Sequence, residues 1–499
     1  MKKTNKRILS LLLAGMLLTT ALASCSSGGE TAGGGTEENN TPTAVSDPGV
    51  DETQPAETEE PGPSLAFGEQ DYGGTVFHVL TCSEADYEYL AEEETGERVN
   101  DAVFARNRNA EEYLNIDLEV IYESGAWSSR DTYNNLVRSS ITAGDNAYDY
   151  VTGMISCIQP LASTQYFLNL NEMPGMELSN PWWVSSMQKE LSLNGKLLSI
   201  IGDVSLSLYK GLSVFFFNQN LTAERNMEDP FALVREGKWT VDKMISLGSE
   251  TGTDLNGDGQ WSLADDLYGT VIYEVVWRSM NAAVDVHPVH IGEDGLPVVD
   301  DLDERAVSVI EKLTSYLHDH DDVWIMDNDT QPRDAFVGGH ALFFLGKLSA
   351  METMGDMESD YGIIPMPKYD EAQADYFTQI ATATQIILVP VTTGSPEVTG
   401  HVLETLCFFT WRDVVDEYYQ NALQTRYSRD AETSEMLDII RQGAVNGFDY
   451  SYSTAIGGDP WVNKIVSDYS YRAIAPASAY AAQKKVWQKA IEKILENYQ

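Results

Sequence analysis

The most specific chemical pattern in the chain is the stretch Asp254-Leu-Asn-Gly-Asp-Gly-Gln-Trp-Ser-Leu-Ala-Asp265. Side-chain oxygens stand at its first, third and fifth positions in Asp254, Asn256 and Asp258. Gly259 permits a sharp turn at the sixth, Gln260 offers its carbonyl at the seventh, and Asp265 closes the twelfth. That is the spacing of an EF-hand calcium loop, because a hard cation is satisfied by about six to eight oxygens converging on one point. Asp265 is one carbon shorter than the usual Glu, so it binds weakly or through a single oxygen. The alternative is a solvated loop held by its own Asx side chains. One structural calcium is the only cofactor expected.

A second constellation, Glu274, Trp277, Arg278 and Asn281, has the types that hold a sugar. A carboxylate and a guanidinium pair with vicinal hydroxyls, and an indole stacks on the apolar face of a pyranose. The competing reading makes Trp277 a core residue and Glu274–Arg278 a one-turn helix pair. Ser83, Glu84 and Ser156 (with Gln159) follow strand-like runs, where ligands collect in parallel sheets. Trp461, in the loop around residues 451–460, is offered to the same ligand, and Asp203 stands where the chain turns out of a short strand. Trp182-Trp183 reads as a sugar platform or as core; two adjacent aromatics on a helix cannot face the same way, so at least one is core. The pairs His287/His290 and His318/His320 lack a further ligand at zinc spacing and read as surface features. No Gly-x-Ser-x-Gly or His-Glu-x-x-His occurs, which removes two hydrolase signatures.

The elements that position these residues alternate. A strand at Val76–Leu80, a helix at Arg98–Leu114, an edge strand at Ile116–Val120, a helix at Arg130–Thr142 and a strand at Tyr148–Met154 imply parallel pairing by right-handed crossovers. Ser213–Phe217 is wholly apolar and reads as an interior strand of a second sheet. The chain is expected to pass between lobes over about 203–212. Thr240 and Ser395 are expected N-caps, the latter with Pro396 at the first helical position.

Composition bounds the function. Against 77 acidic side chains stand 32 basic ones, a net charge of −45, which repels nucleic acid and anionic lipid heads. At the amino end Lys2, Lys3, Lys6 and Arg7 precede an apolar run and Leu22-Ala-Ser-Cys25. This resembles the lipobox of bacterial lipoproteins and implies cleavage before Cys25 and acylation of it. Residues 1–24 are thus a signal peptide and 25–70 an acidic, Gly/Pro-rich disordered linker. The mature chain is expected on the outer face of the cell membrane. With Cys25 lipidated, Cys82, Cys157 and Cys407 are expected as packed thiols rather than a bridge between Cys82 and Cys157.

Several stretches share an order with one known family: Gly195-Lys-Leu197, Phe215-Phe-Phe-Asn218 with Leu221, and Gly237-Lys-Trp-Thr240 before the Asp254–Asp265 loop and Tyr268-Gly269. Phe336-Val-Gly-Gly-His-Ala341 and Tyr361-Gly-Ile-Ile-Pro-Met-Pro367 follow. Together they resemble the family 1 extracellular solute-binding proteins of carbohydrate ABC importers. The resemblance implies an α/β fold of the two-lobed type II periplasmic-binding class, each lobe a mainly parallel sheet flanked by helices and joined by hinge crossings. It implies lobe 1 at 71–203 and 333–383, lobe 2 at 204–332 and 384–499, and a non-enzymatic monomer that hands a sugar or oligosaccharide to a permease. Where many members place a ligand-stacking Trp after Gly346, Lys347 stands here and becomes a candidate contact. The rival readings are a glycan-hydrolysing lipoprotein with paired carboxylates and a carbohydrate-binding adhesion lipoprotein. Changing Cys25→Ala is expected to release the protein into the medium; retention in the membrane fraction would remove the anchor.

Overall fold

The computed structural model describes residues 62–162, 164–423, 431–457 and 475–496. Cys25, the signal segment and Trp461 lie outside the described residues. Nine strands build two sheets: β1 Thr75–Cys82, β2 Ile116–Glu123, β3 Tyr150–Met154, β4 Ser213–Asn218, β5 Tyr268–Tyr273, β6 Val323–Met326, β7 Ala341–Lys347, β8 Tyr361–Ile364 and β9 Gln385–Leu388. The first sheet has the order β9-β3-β1-β2, parallel except that β9 runs against β3. The second has the order β6-β5-β7-β4-β8, in which β6, β5 and β7 are parallel and β4 and β8 complete it by antiparallel pairing.

Local chemistry explains the elements. In the helix Arg98–Leu114, Glu97 accepts the amides of Val99 and Asn100 at the start, and Asn115 ends it in the left-handed region at φ 47°. Thr240 and Ser395 cap their helices through Lys243 N and Val398 N, as their types and positions anticipate. β2 sits at the edge with a half-buried pattern, matching its alternation of apolar and acidic residues. β4, by contrast, is buried along its whole length between β7 and β8. Its Phe216 stacks on Phe344 at 5.4 Å, and Phe215 meets Trp239 edge-on at 5.7 Å.

Strand pairing corrects the expected lobe boundaries. β7 and β8, expected in lobe 1, join the second sheet, whereas β9, expected in lobe 2, joins the first. The physical reason is β4: its two neighbours are β7 and β8, so the segment after the first crossing closes its own sheet before the chain returns. The folded part also begins earlier than residue 71. Phe67 stacks on His401 at 3.9 Å, and its carbonyl accepts the Tyr113 hydroxyl at 2.7 Å. Cys82, Cys157 and Cys407 are buried free thiols.

Two crossings meet at one buried hydroxyl. Ser207, at the start of the short helix Ser207–Gly211 that leads into β4, donates its amide and Oγ to Glu88 Oε1 at 2.9 and 2.6 Å. The returning chain closes on the same residue: Gln385 N donates to Ser207 Oγ at 2.9 Å and Thr384 Oγ1 to its carbonyl at 3.3 Å. Glu88 is 0% exposed and its Oε2 has no partner. Burial pushes its carboxyl up to about 7, against the Ser207 hydrogen bonds and the Arg106 charge. The folded state therefore holds a proton that the unfolded chain, at about 4.5, releases. Stability from this group is full below about pH 4.5 and is lost as pH rises through about 7, on the order of 3 kcal/mol in all. Glu88→Gln is expected to flatten that decline in denaturant unfolding measured from pH 5 to 8. Parallel profiles for the two proteins would contradict the assignment.

Candidate functional site

The crossings decide where a site forms. β7 ends at Lys347, which pairs with Ser213, the first residue of β4 after the crossing helix. β9 begins at Gln385, which pairs with Met154 at the end of β3. The carboxyl edges of both parallel sheets therefore border the crossings and the space between the lobes.

On the first lobe this edge carries Ser83 and Glu84 after β1, the loop Ser124–Trp127 after β2, and Ser156 after β3. Ser83 and Glu84 are exposed. Glu84 accepts Ser124 Oγ at 2.7 Å and Gly125 N at 3.0 Å. Burial pushes the Glu84 carboxyl up, but the Ser124 hydroxyl and the loop amides outweigh it and hold the group below its usual range. It is a hydrogen-bond acceptor held ionised, whereas a glycosidic general acid needs a raised pKa. Gly125 is required by close approach, since a Cβ there would lie 2.1 Å from Cys82 Sγ. That contact draws the loop onto β1 and presents Trp127, which is 54% exposed. The Arg130 guanidinium lies 4.2 Å from the Trp127 ring centroid and donates to its carbonyl at 2.6 Å. Sequence reasoning missed both residues; the available signal was an aromatic in the Gly-containing loop between a strand and a helix. Ser156 donates its amide to Thr382 O, and its carbonyl accepts Thr454 Oγ at 3.0 Å, tying this strand end to the carboxyl-terminal helices.

On the second lobe the edge carries Tyr273, Glu274, Arg278 and Lys347. Glu274 and Arg278 pair at 3.5 Å, one helical turn apart. Lys347 Nζ lies 5.7 Å from the Tyr273 ring centroid. At the crossing itself, Lys210 pairs with Glu352 at 2.6 Å and lies over the rings of Tyr87 and Tyr418 at 5.0 and 5.7 Å.

Five candidate contacts are drawn elsewhere. Trp277 is 4% exposed, and Tyr316 stacks on it at 5.9 Å and 28°, so no sugar can use that indole face. Asn281, 1% exposed, is enclosed with its amide. Asp203 is buried, with one oxygen taking Tyr209 OH at 2.6 Å and the other Arg441 at 2.7 Å. Trp182 and Trp183 are both core: their indole N–H groups converge on buried Glu404 at 3.0 and 2.9 Å. They lie in a turn bridged to Gly202 rather than in a helix, which lets neighbours point the same way.

In the Asp254–Asp265 loop the side-chain oxygens meet the loop's own backbone. Asp254 accepts from Gly257 N and Gly259 N, Asn256 from Asp258 N, and Asp258 from Gln260 N. Asp265 turns to Ser262 Oγ, and buried Asp266 ties Leu255 N to Ser262 N. Among the described residues no group of three His, Cys, Asp or Glu gathers as a metal ion requires. A cavity of about 740 Å³ lies apart from the strand ends, lined among others by Lys189, Glu190, His287, His290, Asp303 and Arg305. It shares no residue with them, and strand-end placement is the better guide in a sheet of this topology.

No protein-family model matches the chain, and a search of curated proteins returns no match. Solved structures do share its fold. A cyclo/maltodextrin-binding protein complexed with maltotetraose is 12% identical, with 85% of this chain and 98% of that chain covered at a TM-score of 0.55. UgpB from Mycobacterium tuberculosis in complex with glycerophosphocholine is 12% identical, with 85% and 99% covered at 0.53. An ABC substrate-binding protein from Listeria monocytogenes in complex with cycloalternan is 13% identical, with 84% and 99% covered at 0.51. The chain has the two-lobed α/β fold of ABC-transporter solute-binding proteins. Among the described residues no helix is long and apolar enough to cross a membrane.

The two tryptophans separate in a single experiment. Trp277→Ala is expected to cost about 3–5 kcal/mol in denaturant unfolding, as buried aromatic truncations do. Trp127→Ala is expected to stay within about 0.5 kcal/mol of wild type, as exposed substitutions do. The reverse order would exchange their roles.

Proposed function

We propose that the protein captures a saccharide between its lobes and delivers it to an ABC import permease, as a monomer held on the outer face of the membrane by lipidated Cys25. The observation that carries this reading is the meeting of both carboxyl edges at the shared crossings, with Trp127 and Arg130 exposed on one edge. The neighbours sharing the fold are binding proteins whose ligands include maltotetraose, cycloalternan and tagatose. Lipidation rests on the Leu22–Cys25 motif alone and permease delivery on the fold alone.

Capture is a hinge motion. A ligand shifts the equilibrium toward the closed form only by contacts it makes there and not in the open form. In this protein Trp127 stacks on one ring face, Glu84 and Glu274 accept hydroxyls, and the second lobe completes the set on closure. Isothermal titration against a panel of oligosaccharides is expected to give one-to-one binding with no product formed, weakened about tenfold to a hundredfold in Trp127→Ala. Turnover of a glycan would favour the hydrolase reading instead. Calcium at Asp254–Asp265 is part of the proposal on oxygen spacing alone, with no step of capture routed through it. Its expected sign is a calcium-dependent rise in Tm that Asp258→Ala lacks; equal responses would remove it.

A further inference from the structure

Lys347 differs from the cations around it. Along the edges that face the crossings, Lys210 pairs with Glu352 at 2.6 Å, Arg278 with Glu274 at 3.5 Å and Arg130 with Asp131 at 3.8 Å. Lys347 has no carboxylate within ion-pair distance among the described residues, although the chain carries 77 acidic side chains. It is held at the last position of β7, beside Ser213 on one side and two residues beyond Leu345, which pairs with Ile272 of β5 on the other. Its ammonium lies over the Tyr273 ring, 5.7 Å from the centroid. Burial lowers its pKa, and Asp329, acting through space, only partly offsets that cost. A cation taken out of water without a partner is unfavourable, and binding sites are where such a cost is recovered when the partner arrives with the ligand.

We propose that Lys347 receives a carboxylate of the bound solute, which makes the ligand an acidic, uronate-bearing saccharide. This rests on the saccharide-capture reading and names its substrate class. Sugar carboxylate and sugar phosphate share the anionic chemistry. The surroundings favour the monoanion, because Asp329, Glu274 and Asp327 act on the adjacent Tyr273 against Arg278 alone and oppose each added negative charge.

The test is isothermal titration of the full chain at low salt with dimers and trimers of galacturonate, glucuronate and mannuronate, their neutral hexose counterparts, and galactose 6-phosphate. At least one uronate is expected to bind about tenfold or more tighter than its neutral counterpart, with the gap narrowing as salt is raised. Lys347→Met is expected to bring the pair within about threefold, its unfolding midpoint at or above that of wild type, since an apolar chain replaces an unpaired cation. Lys347→Arg is expected to keep the preference for the acid. Equal affinity for acidic and neutral sugars, or a preference that survives Lys347→Met, overturns the inference while leaving saccharide capture standing. Tighter binding of the sugar phosphate overturns the carboxylate assignment. Failure of every saccharide to bind overturns both.

Discussion

Ser207 is the residue on which the two-lobed arrangement turns. Its hydroxyl donates to Glu88, accepts the amide of Gln385, and its carbonyl takes the Thr384 hydroxyl. A single side chain thereby fixes the outgoing chain, the returning chain and a buried acid of the first lobe. Removing the hydroxyl would leave the Gln385 strand amide without its acceptor and take one of two donors from Glu88 Oε1. Because β4 starts six residues later and β9 starts at Gln385, the register of both sheets at their inner edges is set from this point. The placement of Lys347, Glu274 and Ser156 follows from it.

The acidity of the chain is handled in two ways. Most carboxylates lie at the surface and keep the protein soluble. A few are buried and bound by donors: Glu404 by Asn180 and two indoles, Asp203 by Tyr209 and Arg441, Glu88 by Ser207. Each joins segments distant in sequence, so these acids act as fasteners between elements rather than as ligand contacts. Lys347 is the converse case, a cation that the fold leaves for something else to satisfy.

Local patterns in the sequence were enough to read most elements. The helix Arg98–Leu114, the edge character of β2, the interior character of β4 and the caps Thr240 and Ser395 all depend on periodicity or on a neighbour a few residues away. Sheet membership was not legible, because β7, β8 and β9 are all apolar runs and only long-range pairing assigns each to a sheet. The site was legible in part. Ser83, Glu84, Glu274 and Arg278, named for following strands, and Lys347, named from the resemblance, all follow or end strands of the two sheets. Trp277 and Asp203 were misjudged for one reason: a polar or aromatic type near a strand end does not reveal whether Tyr316 or Arg441 already covers it, and the burial of Asn281 is equally invisible in its type. Trp127 went unseen because exposure in a short loop leaves no periodic trace.

The central claim is that the two inner edges close on a saccharide without chemistry. Small-angle X-ray scattering of the protein with and without the tightest-binding saccharide tests it most directly. The account predicts a smaller radius of gyration in the bound state, at one ligand per chain, with the saccharide recovered intact. An unchanged radius of gyration at saturation, or recovery of cleaved sugar, would contradict it.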